Sequence, residues 1–312
     1  MDARRAGERT HLFALALLCP LAAACTEGRV LTPLDGGPSD ALSSSDAAVG
    51  CKYVDILFLI DNSPLMAPKQ QKLAMAFPSF VDAIYDRLPA GTDLHVGITT
   101  TSFYAGSTAD NTVNCMSTST PAYILSRYIR PQDGNDGENG GQGRLFQFAA
   151  VTFFATNTIF DRQPLKIWFS GAAVAVGESS SAVQFPTAGI AYTAHPANAA
   201  TNARFFRDRG SVLAVIALTG APDKSMEPLP TYHDMLAAQK SLCGGDACII
   251  TAGIIDPCIT MNNNILWQFL NDFGEPTLWT SINGSAQQYA QVVGDALARV
   301  VSQTCMIIPT PG

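Results

Sequence analysis

The sequence predicts an α/β fold: a doubly wound, mostly parallel central sheet with helices on both faces. Three observations lead there. Runs of strand length, such as "VDILFLI" from Val54 and "SVLAVIALT" from Ser211, are nearly continuously apolar, as strands covered on both faces must be. Between them lie segments whose apolar residues recur at helical spacing. The 312-residue chain is 47% hydrophobic and 14% charged, enough for one domain of generous size with a full core.

The first strand covers 54–60 and stops at three small polar residues, Asp61, Asn62 and Ser63; Pro64, Leu65 and Met66 follow. The next pattern is a helix over 68–88, with Leu73, Phe77, Phe80, Val81, Ile84 and Leu88 on one face. Pro68 suits its first turn, and Pro78 is expected to bend it. The second strand is 94–100, "LHVGITT". Residues 102–145 are poor in period and rich in Ser, Thr, Asn and Gly. Within them "DGNDGENGGQG", 133–143, looks like a calcium loop, but Glu138 stands where an EF-hand needs Gly and no Glu closes it. A flexible surface insertion is expected there.

Segments 146–160 and 167–176 are densely apolar and read as helical, and 182–194 as a further helix. The clearest central strand is 211–219. A helix with a threonine cap over 231–242 precedes a buried strand over 248–255. A short helix over 264–273 and a last strand over 278–282 follow. Ser285, with Gln288 three residues on, is a capping box for the final helix. The core stripe of that helix is Tyr289, Val292, Val293, Ala296, Leu297, Val300 and Val301.

Sheets of this kind bind ligands at the carboxyl ends of their strands. The loop from Asp61 to Met66 belongs there, and so does "GAPDKS", from Gly220 through Asp223 to Ser225. The net charge of −7 and the lack of a basic run argue against nucleic acid as a partner. There is no G-x-S-x-G elbow, H-E-x-x-H or phosphate loop. Past the leader three histidines remain, His95, His195 and His233, each in a setting that suits structure better than catalysis. An enzyme is not expected.

The N-terminus has the form of a secretory signal over 1–24: Arg4, Arg5 and Arg9, then an apolar run too short for a membrane span. It ends in "LAAAC", which resembles a bacterial lipobox, with Cys25 as the lipidated residue; ordinary cleavage after Ala24 is the alternative. Residues 25–50, rich in Gly, Pro, Ser and Asp, read as a disordered, lipid-anchored linker. The domain then occupies 51–307, and 308–312 is a tail. Six cysteines follow the linker, an even number that suits disulfides in an exported chain. "CGGDAC" closes Cys243 with Cys248, a zinc knuckle being the competing reading.

The strand ending in Asp61-x-Ser63, with the layout "RFFRDRGSVLAVIALTGAPDKS", resembles the von Willebrand factor type A (VWA) domain, in the version of bacterial envelope lipoproteins. The resemblance covers about 52–304 and implies a Rossmann-like α/β domain. It also implies a metal-ion-dependent adhesion site with an Asp-x-Ser-x-Ser motif. Here Leu65 replaces the second Ser, and Gly220 stands where the metal-associated Asp belongs. For the threonine that completes the site, Ser179 to Ser181 and Thr187 are loose candidates, and Asp223 is a weak substitute carboxylate. The motif is therefore degenerate: no cofactor is expected, and Mg²⁺ is the ion an intact site would take. Termini lie close together in this fold, which pairs Cys51 with Cys305 and leaves Cys115 with Cys258. The implied function is a cell-envelope lipoprotein, at the outer membrane or cell surface, that binds a protein or envelope component. A ligand-free structural scaffold is the alternative, and an envelope hydrolase a more distant one.

Overall fold

The computed structural model describes residues 52–103, 122–133, 138–178, 183–220, 222–261, 264–300 and 305. The signal, Cys25, the linker and the tail expected from the sequence lie outside the described residues.

Six strands form one sheet: β1 (Tyr53–Ile60), β2 (Asp93–Thr100), β3 (Phe153–Asn157), β4 (Ser211–Thr219), β5 (Ile249–Ile255) and β6 (Leu278–Ser281). Their order is β3-β2-β1-β4-β5-β6. Every pair is parallel except β2 with β3. β1 and β4 lie at the centre, and seven of the eight β1 residues and all nine of β4 are buried, which explains why they read as unbroken apolar runs.

The α-helices among the described residues are α1 (Ala67–Arg87), α2 (Ala122–Leu125), α3 (Gln163–Ala175), α4 (Pro186–Ala191), α5 (Leu229–Ala237), α6 (Ile265–Leu270) and α7 (Ala286–Arg299). Alternate residues of β1 serve two cores. Val54, Ile56, Phe58 and Ile60 pack with α1, α3 and α7, whereas Leu57 and Leu59 pack with α4, α5 and α6. Phe58 anchors the first core, with its ring 5.8 Å from those of Phe77 and Phe80 and 4.5 Å from that of Phe169. Such pairs each add about 1 kcal/mol beyond their burial.

The doubly wound α/β architecture is thus as the sequence predicts, but several elements differ. Segment 146–160 is not helical: Phe148 and Val151 bridge across a two-residue turn, and β3 follows. The reason is that its apolar side chains alternate between the faces of a sheet edge. Part of the expected insertion is packed rather than flexible: Gly140 to Gly143 are buried, and the Gly140 carbonyl accepts from the Thr100 amide at the end of β2. The fifth helix starts at Leu229 after Pro228, without a threonine cap. α1 remains helical through Pro78. The Ser285–Gln288 capping box at α7 is present in both directions. Cys243 and Cys248 form a disulfide. Cys258 and Cys305 are also disulfide-bonded, while Cys51 and Cys115, their expected partners, lie outside the described residues.

One buried charge cluster ties the amino ends of the strands together. Asp55, fully buried in β1, meets the Arg207 guanidinium at 2.7 Å and the Lys240 ammonium at 2.8 Å. Lys240, itself fully buried, also donates to Ser211 Oγ at 2.8 Å. Burial pushes the Asp55 carboxyl up, but the charges of Lys240 and Arg207 outweigh it and hold the group below its ordinary value.

Candidate functional site at the carboxyl ends of the strands

From β1 the chain winds toward β2 on one side, and from β4 toward β5 on the other. The switch point therefore lies between β1 and β4, where folds of this kind gather their ligand loops. Asp61 and Gly220 flank it.

The Asp61 side chain is fully buried and bound by its surroundings. Oδ1 accepts from the Ser63 amide at 2.7 Å. Oδ2 accepts from Thr219 Oγ1 at 2.7 Å and from the Gly220 amide at 3.2 Å. Asp61 thus stitches the loop after β1 to the end of β4. The Gln70 amide of α1 donates to the Asp61 carbonyl at 3.0 Å and to the Gly177 carbonyl at 2.6 Å, closing the loop against the end of α3.

Asn62 and Ser63 are also buried. The Asn62 amide donates to Ser102 Oγ at 2.9 Å, and Ser102 Oγ lies 3.1 Å from Glu138 Oε2. Pro64 and Leu65 then form a turn closed by the Met66 amide on the Ser63 carbonyl at 3.2 Å. Leu65 occupies the third position of this turn with φ 74°, the left-handed slot that normally takes glycine. Its side chain is 84% exposed, while Met66 turns inward and is 5% exposed. The apolar tip therefore consists of Pro64 and Leu65, and Met66 belongs to the core, where it packs beside Gly220.

Asp223 ties the loop after β4 to the start of α4. Oδ1 accepts from the amide and hydroxyl of Ser225 at 2.8 and 2.5 Å. Oδ2 accepts from the Thr187 amide at 3.1 Å and from the Thr187 hydroxyl. Burial raises the Asp223 carboxyl, and these four donors oppose the rise. Thr187, one of the sequence-level candidates, is thus joined to Asp223; Ser179 to Ser181 lie outside the described residues.

These donors do not fit a tightly held magnesium ion, which requires nearly octahedral oxygen ligands. A carboxylate has about four lone-pair sites. All four are taken in Asp223 and three in Asp61. The space beside Gly220 is apolar, with Ile282 Cδ1 and Met66 Sδ the nearest atoms to a Cβ there. Leu65 points to solvent instead of supplying a hydroxyl. The sequence places Asp61, Asn62, Ser63, Pro64, Leu65, Gly220 and Asp223 in the loops at this end of the sheet, where they lie. The share of Ser102 and Thr219 is not visible in it, because they are common residue types with no local pattern.

The histidines are engaged elsewhere. His95 Nδ1 donates to the Phe205 carbonyl at 2.9 Å. His195 accepts from the Ala197 amide at 3.1 Å. His233 meets Asp246 at 3.1 Å and stacks on Phe273. Among the described residues no helix is long and apolar enough to cross a membrane.

No family model matches the chain, and no curated protein matches it in sequence. Solved structures do align. Proximal thread matrix protein 1 from the mussel byssus gives a TM-score of 0.39 at 14% identity, covering 81% of this chain and 47% of that one. The pilus adhesin SpaC from Lactobacillus rhamnosus GG gives 0.41 at 12%, covering 81% and 30%. A human COPII-coat protein gives 0.39 at 10%, covering 79% and 32%. The chain thus spans less than half the length of each. At these TM-scores the likenesses carry no argument about function.

Proposed function

We propose that the chain is a VWA-like binding module of the cell envelope, held by a lipid at Cys25, whose ligand surface is the loop surface around Leu65. It recognises a protein or envelope component by shape and apolar contact, without a metal and without catalysis. The observation that carries this reading is Leu65 itself. A branched apolar side chain in a left-handed turn position costs about 1–2 kcal/mol. Here that cost holds an almost fully exposed leucine above the switch point of the sheet. A loop serving only to end a strand has no use for such a residue, whereas an anchor for a partner does. Asp61, bonded across to Thr219 and Gly220, supports the resemblance, since it joins the two loops that the family's site brings together.

The test is capture of envelope components on the immobilised chain, comparing wild type with Leu65→Asp. The variant should lose captured material about tenfold or more, that is at least ~1.4 kcal/mol, at an unchanged melting temperature. Capture by the wild type should survive chelation. Equal capture by both proteins would place binding away from Leu65, and no capture by either would favour a ligand-free scaffold. A low-micromolar Mg²⁺, Mn²⁺ or Ca²⁺ affinity by calorimetry, abolished by Asp61→Ala, would overturn the metal-free reading.

A further inference from the structure

The core takes up only part of the apolar density of 146–160: Phe146 is buried and Phe148, Val151, Phe153 and Phe154 pack against it, whereas Ile159 and Phe160 stay exposed. The segment contains no charged residue, yet no residue of β3 is fully buried and Ala155 is exposed. β3 is an edge strand. Natural sheets guard such edges with lysines, prolines or inward charges, and β3 has none of these.

The hydrogen-bond pattern shows which groups the edge presents. The Thr158 amide donates to the Thr92 carbonyl at 2.9 Å. With the β2–β3 register pairing Asp93 with Asn157 and His95 with Ala155, the alternation of an antiparallel ladder makes Thr156 and Phe154 the inward-bonding residues. Phe153, Ala155 and Asn157 then turn their N–H and C=O groups outward. The Asn157 carbonyl is taken by the Phe160 amide. Among the described residues those of Phe153 and Ala155 have no backbone partner.

A second apolar surface adjoins this edge. On α3, Pro164, Ile167, Gly171 and Val174 fall on one side. Ile167 is 65% exposed and Val174 42%. Before the helix, Ile159 and Phe160 are 66% and 64% exposed. Gly171 places this stripe on the β3 side, because a Cβ there would lie 2.8 Å from the Phe148 ring. Phe148 in turn opens the tight turn whose tip, Ala149 and Ala150, is exposed with φ 50° and 64°. Two adjacent alanines in that region are strained. Of the charged groups near the stripe, Lys166 of α3 and Arg162 before it pair with Asp82 of α1, and the exposed Asp161 accepts from the Gln163 amide at 3.0 Å.

We propose that this face is the contact between two copies of the chain, with β3 pairing antiparallel to its own mate about a twofold axis at Ala155. Ala155 is the middle residue of β3 and an outward-bonding one, so the two alanines exchange both hydrogen bonds. The six-stranded sheets of the two copies then join into one. Because the axis stands perpendicular to the sheet, the α3 stripes meet on the same side. A second copy is the favoured occupant because β3 carries no charged side chain, so a twofold axis at Ala155 sets no like charges against each other there. The four exposed side chains offer on the order of 400 Å², and the strand edge and turn tip bring the face toward the ~800 Å² per partner of a stable interface.

The test is sedimentation velocity of the full chain over a concentration series. Wild type should run as a dimer that dissociates on dilution. Ala155→Lys, which places two charges at the axis, and Ile167→Glu, at an exposed helix position, should each weaken association at least tenfold without changing the melting temperature measured at a dilution where the wild type is monomeric. Met75→Glu, equally exposed but on α1, should leave it unchanged. Ala155→Cys should give a disulfide-linked dimer, because opposed bonded residues sit at about 5.5 Å between Cα atoms, within disulfide range. A wild type that stays monomeric at every concentration overturns the proposal, including one that binds lipid vesicles as a monomer. So does a dimer indifferent to Ala155→Lys and Ile167→Glu.

Discussion

Asp55 is the charged residue that β1 carries through its core, and its partners arrive from far along the chain. Arg207 is 152 residues away and Lys240 is 185. No local pattern announces such a cluster, so the sequence shows only an aspartate inside an apolar run. Asp61 is different: it ends a strand, and its bonds to Ser63 and Gly220 lie in loops that could be anticipated. Removing one partner of a buried charge cluster costs roughly 3–5 kcal/mol, and Asp55→Asn should be destabilised on that scale at neutral pH. The pH dependence has a definite sign. The Asp55 carboxyl lies below its ordinary value of 3.8 in the folded chain, so its contribution is fully present above 3.8 and is lost as pH falls through the lower folded value. Denaturant unfolding across that acid range should give a shallower slope for Asp55→Asn than for wild type. Parallel slopes would assign the acid sensitivity to other groups.

Elements were legible where a local signal and the tertiary environment agreed. α7 is the clearest instance, since Ser285 accepts from the Gln288 amide at 3.3 Å and Gln288 returns a 2.7 Å contact to the Ser285 amide. Ser285→Ala should lower stability by about 1 kcal/mol. Gln288→Ala should also destabilise, and the double variant less than the sum, because the two bonds form one unit. A fully additive double variant in thermal melts would show that the caps act separately. Segment 146–160 was misread for the opposite reason. Turns in the left-handed region announce themselves through Asn or Gly, but here two alanines occupy those positions. Without a visible turn, a run of apolar residues gives no sign of where a hairpin ends and a strand begins.

Across the whole molecule, burial falls from the centre of the sheet outward. β4 and β5 are buried along their full length, whereas β3 and β6 have no fully buried residue. Amide hydrogen exchange should follow this gradient, slowest in β1 and β4 and fastest in β3 and β6. The outward amides of Phe153 and Ala155 should gain protection only as protein concentration rises. Uniform protection across all six strands would contradict the gradient. The same gradient accounts for what the sequence discloses of the fold: central strands read as long apolar runs, and edge strands mix with their loops.

The left-handed conformation at Leu65 has a consequence over generations as well as in one molecule. Glycine would hold that turn more comfortably by about 1 kcal/mol. Drift filtered only by stability would therefore carry codon 65 toward glycine and erase the apolar tip without harm to folding. Descendants of a mere scaffold should show that erosion, and descendants of a working receptor should keep a bulky apolar residue there at a standing disadvantage.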